Sequence, residues 1–181
     1  STLFAGATAI LLSVFDPARS LQAIEEHHVG FLGQIPAMFN MEWRLKDFGK
    51  YDLSSLQFVA YGGNSVPPEF VEKLSLMAPR MATGLGLTET AGFCTYVMRD
   101  STNSRDIFAS LGWDVPAYPM SSRKPLGEDG LAGEELPQGQ TGHVCFCGPQ
   151  TFLGYVNDPE ATAKVVSADG FLYTGDLGYR D

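Results

Sequence analysis

A change of grammar near residue 100 constrains this chain more than any other feature. Before it, short β-prone runs alternate with helical patterns; after it, Gly and Pro recur, helical periodicity fades and short alternating runs take over. The first half offers a strand at 8–14 (TAILLSV) and a helix opening at Asp16-Pro17, where Asp can cap and Pro suits the first turn. That helix carries Leu21, Ile24 and His28 on one face. A strand-like run at 29–34, a helix from Pro36 with Met38, Phe39 and Trp43, and a strand at 56–61 follow. A further helix from Pro67-Pro68 places Phe70, Val71, Leu74 and Met77 at helical spacing.

Strand and helix in alternation imply a parallel sheet covered by helices. The runs at 143–147 (HVCFC) and 171–175 (FLYTG) imply an antiparallel sheet or a distorted barrel, interrupted by one short helix at 158–166 with Asp158 as its cap. The expected fold class is therefore α/β plus β. An α/β part would span residues 1–105 and a β-rich, barrel-like part 106–181, joined through the initially polar stretch 100–125.

Composition narrows the function by exclusion. Of the 181 residues, 44% are hydrophobic and 18% charged, enough to pack a core. The net charge of −9, with no clustering of Lys and Arg, argues against a nucleic-acid partner. The longest apolar run, Phe4 to Phe15, is about half a membrane span and is broken by Gly6, Thr8 and Ser13, so neither a membrane helix nor a signal peptide is expected. Three cysteines suit a reducing, cytoplasmic setting better than a disulfide framework. Cys145 and Cys147 read as ordinary strand cysteines rather than a metal pair, and His27-His28, at a helix end, receive no catalytic role. The chain opens at Ser1 and stops at Asp181 inside patterned runs, which reads as a piece of a longer protein.

In a parallel α/β sheet, ligands bind beyond the carboxyl ends of strands, so loops after strands matter most. Gly62-Gly63, after the strand at 56–61, would let backbone approach a bulky ligand, although an ordinary strand-to-helix turn explains the pair as well. The loop GLGLTETAG (84–92) is more demanding. Thr88 and Thr90 can donate to anionic oxygens, and glycines leave N–H groups free, but Glu89 would repel a phosphate. A hard cation such as Mg²⁺, held by a carboxylate and substrate phosphates, removes that contradiction; a threonine-capped turn with a solvated Glu89 is the competing reading. Asp176, at a Thr-Gly-Asp turn between two strands, could accept bonds from ribose hydroxyls or simply bond its own backbone.

Taken together, GLTETAG, GYVNDPEAT and GFLYTGDLGYRD, in this order, resemble the AMP-forming adenylating enzymes: acyl-CoA synthetases, peptide-synthetase adenylation domains and firefly-type luciferases. The segment before Gly62 and the stretch YGGNSVPPEF are similar to the family's corresponding parts. The resemblance implies a ligase that uses Mg²⁺ and ATP to convert a carboxylic acid to an acyl-adenylate, with AMP as product once a thiol, usually coenzyme A, takes the acyl group. It implies that Thr88 touches the α-phosphate, that Glu89 holds Mg²⁺ and acts with Thr88 in catalysis, and that Asp176 binds ribose. Gly62, Gly63 and Asn64 would border adenine and the acyl pocket, with Leu85 and Gly86 in the nucleotide-binding set.

Two departures stand out. Leu85 replaces the aromatic residue that usually stacks on adenine, and Asn64-Ser65 stand where Ala-Pro is frequent. The family's upstream phosphate loop and downstream small domain have no counterpart in these 181 residues, so the piece by itself is expected to be inactive. The alternative is a nucleotide-binding or structural module that keeps the fold without catalysis. The acid itself is not specified by the sequence.

Overall fold

The structure, a computed structural model, describes residues 4–102, 107 and 110–181. Two compact units divide the chain, one formed by residues 1–83 and 98–110, the other by 84–97 and 111–181. The expected junction between residues 105 and 106 lies outside the described residues.

The first unit is built on three parallel strands, β1 (Phe31–Gln34), β2 (Phe58–Tyr61) and β3 (Arg80–Thr83), adjacent in that order. Helices α2 (Pro36–Trp43) and α3 (Pro68–Leu74) connect them, as strands of one direction require. Helix α1 (Pro17–His27) precedes the sheet, and the Asp16 carboxylate accepts from the Arg19 N–H at 2.8 Å, a cap worth about 1 kcal/mol. Leu21, Ile24, Phe39, Val59, Val71 and Leu74 are fully buried. The Phe70 ring meets Phe39, Trp43 and Tyr61 with centroids 5.0 to 6.0 Å apart, arrangements favoured by ring quadrupoles.

Two local expectations for this unit fail. Residues 8–14 form no strand, and Leu11 and Val14 are 87% and 77% exposed. Their apolar, β-branched character is not enough: a strand needs a neighbour for its N–H and C=O groups, and no described strand pairs with these. His28 does not extend the buried face of α1; it is exposed and closes the helix in the left-handed region at φ 48°, sending its N–H to the Ile24 carbonyl.

In the second unit, a two-stranded hairpin, β4 (Gly86–Leu87) and β5 (Gly92–Phe93), encloses a single 3₁₀ turn at Thr88–Thr90. Strand β6 (Thr95–Asp100), inside which the division falls, pairs antiparallel with β7 (Trp113–Asp114) through Thr95 and Tyr96. A separate antiparallel sheet has the order β10-β9-β8, formed by β8 (Met120–Arg123), β9 (Gly142–Cys147) and β10 (Phe171–Gly178). It is an open sheet, so of the two antiparallel readings it is the sheet and not a closed barrel among the described residues. Helix α4 (Pro159–Ala163) is capped by Asp158, whose carboxylate accepts from the Ala161 N–H at 2.8 Å.

Tyr118 and Phe146, both without exposed surface, stack at 5.2 Å between centroids and anchor a cluster with Cys94 and Val144. Each such buried aromatic contributes about 2 kcal/mol by leaving water. Leu85, Leu87, Val115 and Met120 pack against this cluster. The hairpin that carries Glu89 thus rests on the same core as the middle strand of the sheet. No helix among the described residues is long and apolar enough to cross a membrane.

Candidate active site

The loop at 84–92 owes its glycines and one of its threonines to its own folding. A Cβ on Gly84 would overlap the Thr95 carbonyl oxygen, and one on Gly86 would lie 2.8 Å from the Gly92 carbonyl oxygen across the hairpin. These glycines allow backbone to approach backbone. Thr90 is fully buried; its hydroxyl accepts from the Leu87 N–H at 3.0 Å and faces the Leu87 and Gly92 carbonyls at 3.0 and 2.6 Å. The expectation that Thr90 offers its hydroxyl to an anion is therefore corrected. The tight turn absorbs that donor, and Ala91 completes the turn in the left-handed region at φ 53°.

What remains exposed is Thr88, whose hydroxyl has no partner among the described residues, and the half-buried Glu89. Glu89 is held at two points. Its carbonyl accepts from the Phe152 N–H at 2.8 Å, and its Oε1 accepts from the Tyr155 hydroxyl at 2.6 Å. Gln150 adds bonds from its amide nitrogen to the Thr90 and Phe93 carbonyls at 3.1 and 3.3 Å. Donation to Glu89, followed by burial, raises the pKa of the Tyr155 phenol, because the carboxylate favours the protonated hydroxyl. Oε2 has no hydrogen-bond partner among the described residues.

Asp176 sits within β10, where the register with β9 shifts between Tyr173 and Leu177. The expected turn between two strands is instead a bulge inside one continuous strand, made possible by Gly175 at φ 88°. Thr174 fastens it by donating its hydroxyl to the Val144 carbonyl at 3.0 Å and accepting from the Asp176 N–H at 3.1 Å. The Asp176 carboxylate is exposed and bonds none of its own backbone. The plain reading of a self-bonded turn aspartate does not hold.

Leu85 is half-buried against the Tyr118–Phe146 cluster, and its N–H donates to the Thr95 hydroxyl at 3.0 Å. In the first unit, Gly63 follows β2 at φ 88°, a value that favours glycine, and Asn64 beside it is exposed. Gly62 is half-buried at the carboxyl end of β2. Sequence reasoning gave no role to Tyr155, Phe152 or Gln150. Tyr155 lies inside the motif GYVNDPEAT and is the one ring hydroxyl there, which was the available signal.

A divalent cation fits Glu89 in a restricted way. Oε2 is open and Thr88 precedes Glu89 in the chain, but among the described residues no three His, Cys, Asp or Glu side chains gather into a cage. That donor set suits Mg²⁺, which takes one or two carboxylates and completes its shell with water and substrate phosphate oxygens. It does not suit a structural zinc ion. Cys145 is buried, and burial pushes its thiol up to about 12, while Cys94 is raised for the same reason. Both thiols are packed in the interior as neutral groups.

The fold places the chain among α/β-plus-β proteins with polar groups carried on strand-end turns. The family whose members are described as AMP-binding enzymes matches residues 1–156, and the chain belongs to it. 4-Coumarate–CoA ligase 1 of Glycine max is 32% identical over 180 residues, covering 98% of this chain and 60% of that protein. A feruloyl-CoA synthase of an Amycolatopsis species is 32% identical over 180 residues, covering 99% of this chain and 35% of that one. Among solved structures, the amide bond synthetase McbA of Marinactinospora thermotolerans aligns with a TM-score of 0.80 at 31% identity, over 99% of this chain and 35% of that one. The chain therefore spans from about a third to three fifths of the length of these relatives.

Proposed function

We propose that the full-length protein carrying residues 1–181 activates a carboxylic acid with Mg²⁺ and ATP, forming an acyl-adenylate and pyrophosphate, and then passes the acyl group to the thiol of coenzyme A with release of AMP. The observation that carries this reading is the pair of available carboxylates. Glu89 has an unbonded Oε2 and follows the exposed Thr88 in the chain, and Asp176 presents an exposed carboxylate that its own bulge does not use. The names of two relatives, a 4-coumarate–CoA ligase and a feruloyl-CoA synthase, support the choice of thiol.

In this reading each residue has a task set by its chemistry. Glu89 supplies a hard oxygen ligand for Mg²⁺, and Thr88 donates its hydroxyl to an oxygen of the α-phosphate. Asp176 accepts hydrogen bonds from the two vicinal ribose hydroxyls, a bidentate contact a free carboxylate is suited to make. Leu85 and Gly86 lie along the nucleotide. Magnesium supplies charge neutralisation at the phosphates. The remainder of catalysis is positioning of carboxylate and α-phosphate.

The test is ATP–pyrophosphate exchange with a panel of aliphatic and aryl acids on the full-length protein. Acid-dependent exchange is expected. Its absence across the panel, in folded protein, would favour a module that keeps the fold without the reaction.

A further inference from the structure

We propose that Tyr155 is a positioning residue for Glu89: its hydroxyl fixes Oε1 and so presents Oε2 as the single coordinating oxygen. This rests on the reading of Glu89 as the magnesium ligand. Glu89 lies on a one-turn 3₁₀ segment at the tip of a two-stranded hairpin, where its own element gives the side chain little restraint. The 2.6 Å bond from Tyr155 removes that freedom.

Tyr155 is itself held. Its N–H donates to the Thr162 hydroxyl at 2.9 Å, and that hydroxyl donates to the Asp158 carbonyl at 2.9 Å, tying the tyrosine to the first turn of α4. Gly154 before it adopts φ 135°, and a Cβ there would meet the Thr162 methyl at 2.9 Å, so the chain lies directly against the helix. The Phe152 ring packs edge-on against the Tyr155 ring at 4.9 Å between centroids, while the Phe152 N–H holds the Glu89 carbonyl at 2.8 Å. The capped helix, the tyrosine and the carboxylate form one connected series. Metal-ligating carboxylates are commonly oriented by such outer partners, whose loss costs about 10-fold or more in metal affinity.

The experiment is calorimetric titration of the full-length protein with AMP and with ATP, each with and without MgCl₂, for the wild type, Tyr155→Phe and Glu89→Gln, with unfolding temperatures measured in parallel. Tyr155→Phe should weaken the magnesium-dependent part of ATP binding by about 10-fold, with metal-free AMP binding unchanged within about twofold. If Glu89→Gln removes the magnesium dependence and Tyr155→Phe leaves it intact, the positioning role is wrong while the functional reading stands. If Tyr155→Phe weakens metal-free AMP binding equally, the tyrosine is a general structural support and the proposal falls. If neither variant alters magnesium dependence, or the wild type shows none, Glu89 holds no metal and both the proposal and the functional reading fall together.

Discussion

Gly84 lies so close to the Thr95 carbonyl that any side chain at position 84 would overlap that oxygen. The overlap is with backbone, which cannot rotate away. Gly84→Ala should therefore destabilise the chain by about 3 kcal/mol, the upper range for forced overpacking. Urea denaturation measures it; a loss below about 0.5 kcal/mol would show that the hairpin shifts freely.

The two threonines flanking Glu89 should separate cleanly. Thr90→Val leaves the Leu87 N–H without its acceptor inside a buried turn and should cost about 2 kcal/mol. Thr88→Ala removes an exposed hydroxyl with no partner among the described residues and should change stability by less than about 0.5 kcal/mol. Thermal unfolding of both variants, paired with nucleotide titration, distinguishes scaffold from ligand contact: only Thr88→Ala should weaken ATP binding in protein that remains as stable as the wild type.

Glu42 is fully buried in α2, where the Gln34 amide donates to its two oxygens at 3.0 and 2.9 Å. Desolvation raises its pKa above the ordinary 4.5, with hydrogen bonds from Ser20 and Gln34 opposing part of the rise. Above an unfolded value near 4.5 the folded state binds more protons, so stability should fall as pH rises through the raised folded value and then level off. Glu42→Gln should flatten that slope. Denaturation midpoints between pH 4.5 and 8 test the sign, and a wild-type midpoint rising with pH through Glu42's window would contradict it.

Thiol chemistry should follow packing. Cys94 and Cys145 are buried with raised pKa values, whereas Cys147 is only half-buried. Native protein treated with an aromatic disulfide reagent at pH 8 should lose Cys147 first, the other two reacting only on unfolding. Rapid labelling of Cys145 would show that the strand pairing around it opens readily.

The sequence carried the larger elements because their signals were redundant. Pro and a capping Asp opened α1 and α4, and the burial of Phe70, Val71 and Leu74 matched their helical spacing in α3. Residues 8–14 had strand composition but no partner, a fact that only tertiary structure supplies. Among the candidate residues, Glu89 and Asp176 stand out in the sequence because a carboxylate among glycines and hydroxyls is chemically conspicuous. The division of labour between Thr88 and Thr90 was not, since both hydroxyls look alike in sequence and only the turn decides which one folds inward. Tyr155 was hidden for a related reason: it lies 66 residues beyond Glu89, and its role comes from a contact rather than from spacing.

Paired titrations of the full-length protein with Mg·ATP and with metal-free adenosine separate the metal proposed for Glu89 from the sugar proposed for Asp176. Glu89→Gln should abolish the magnesium dependence of ATP binding while adenosine affinity stays within about twofold; Asp176→Asn should weaken both ligands by about 10-fold, the loss of one charge-assisted contact. Wild-type affinities for both ligands in both variants would contradict the account.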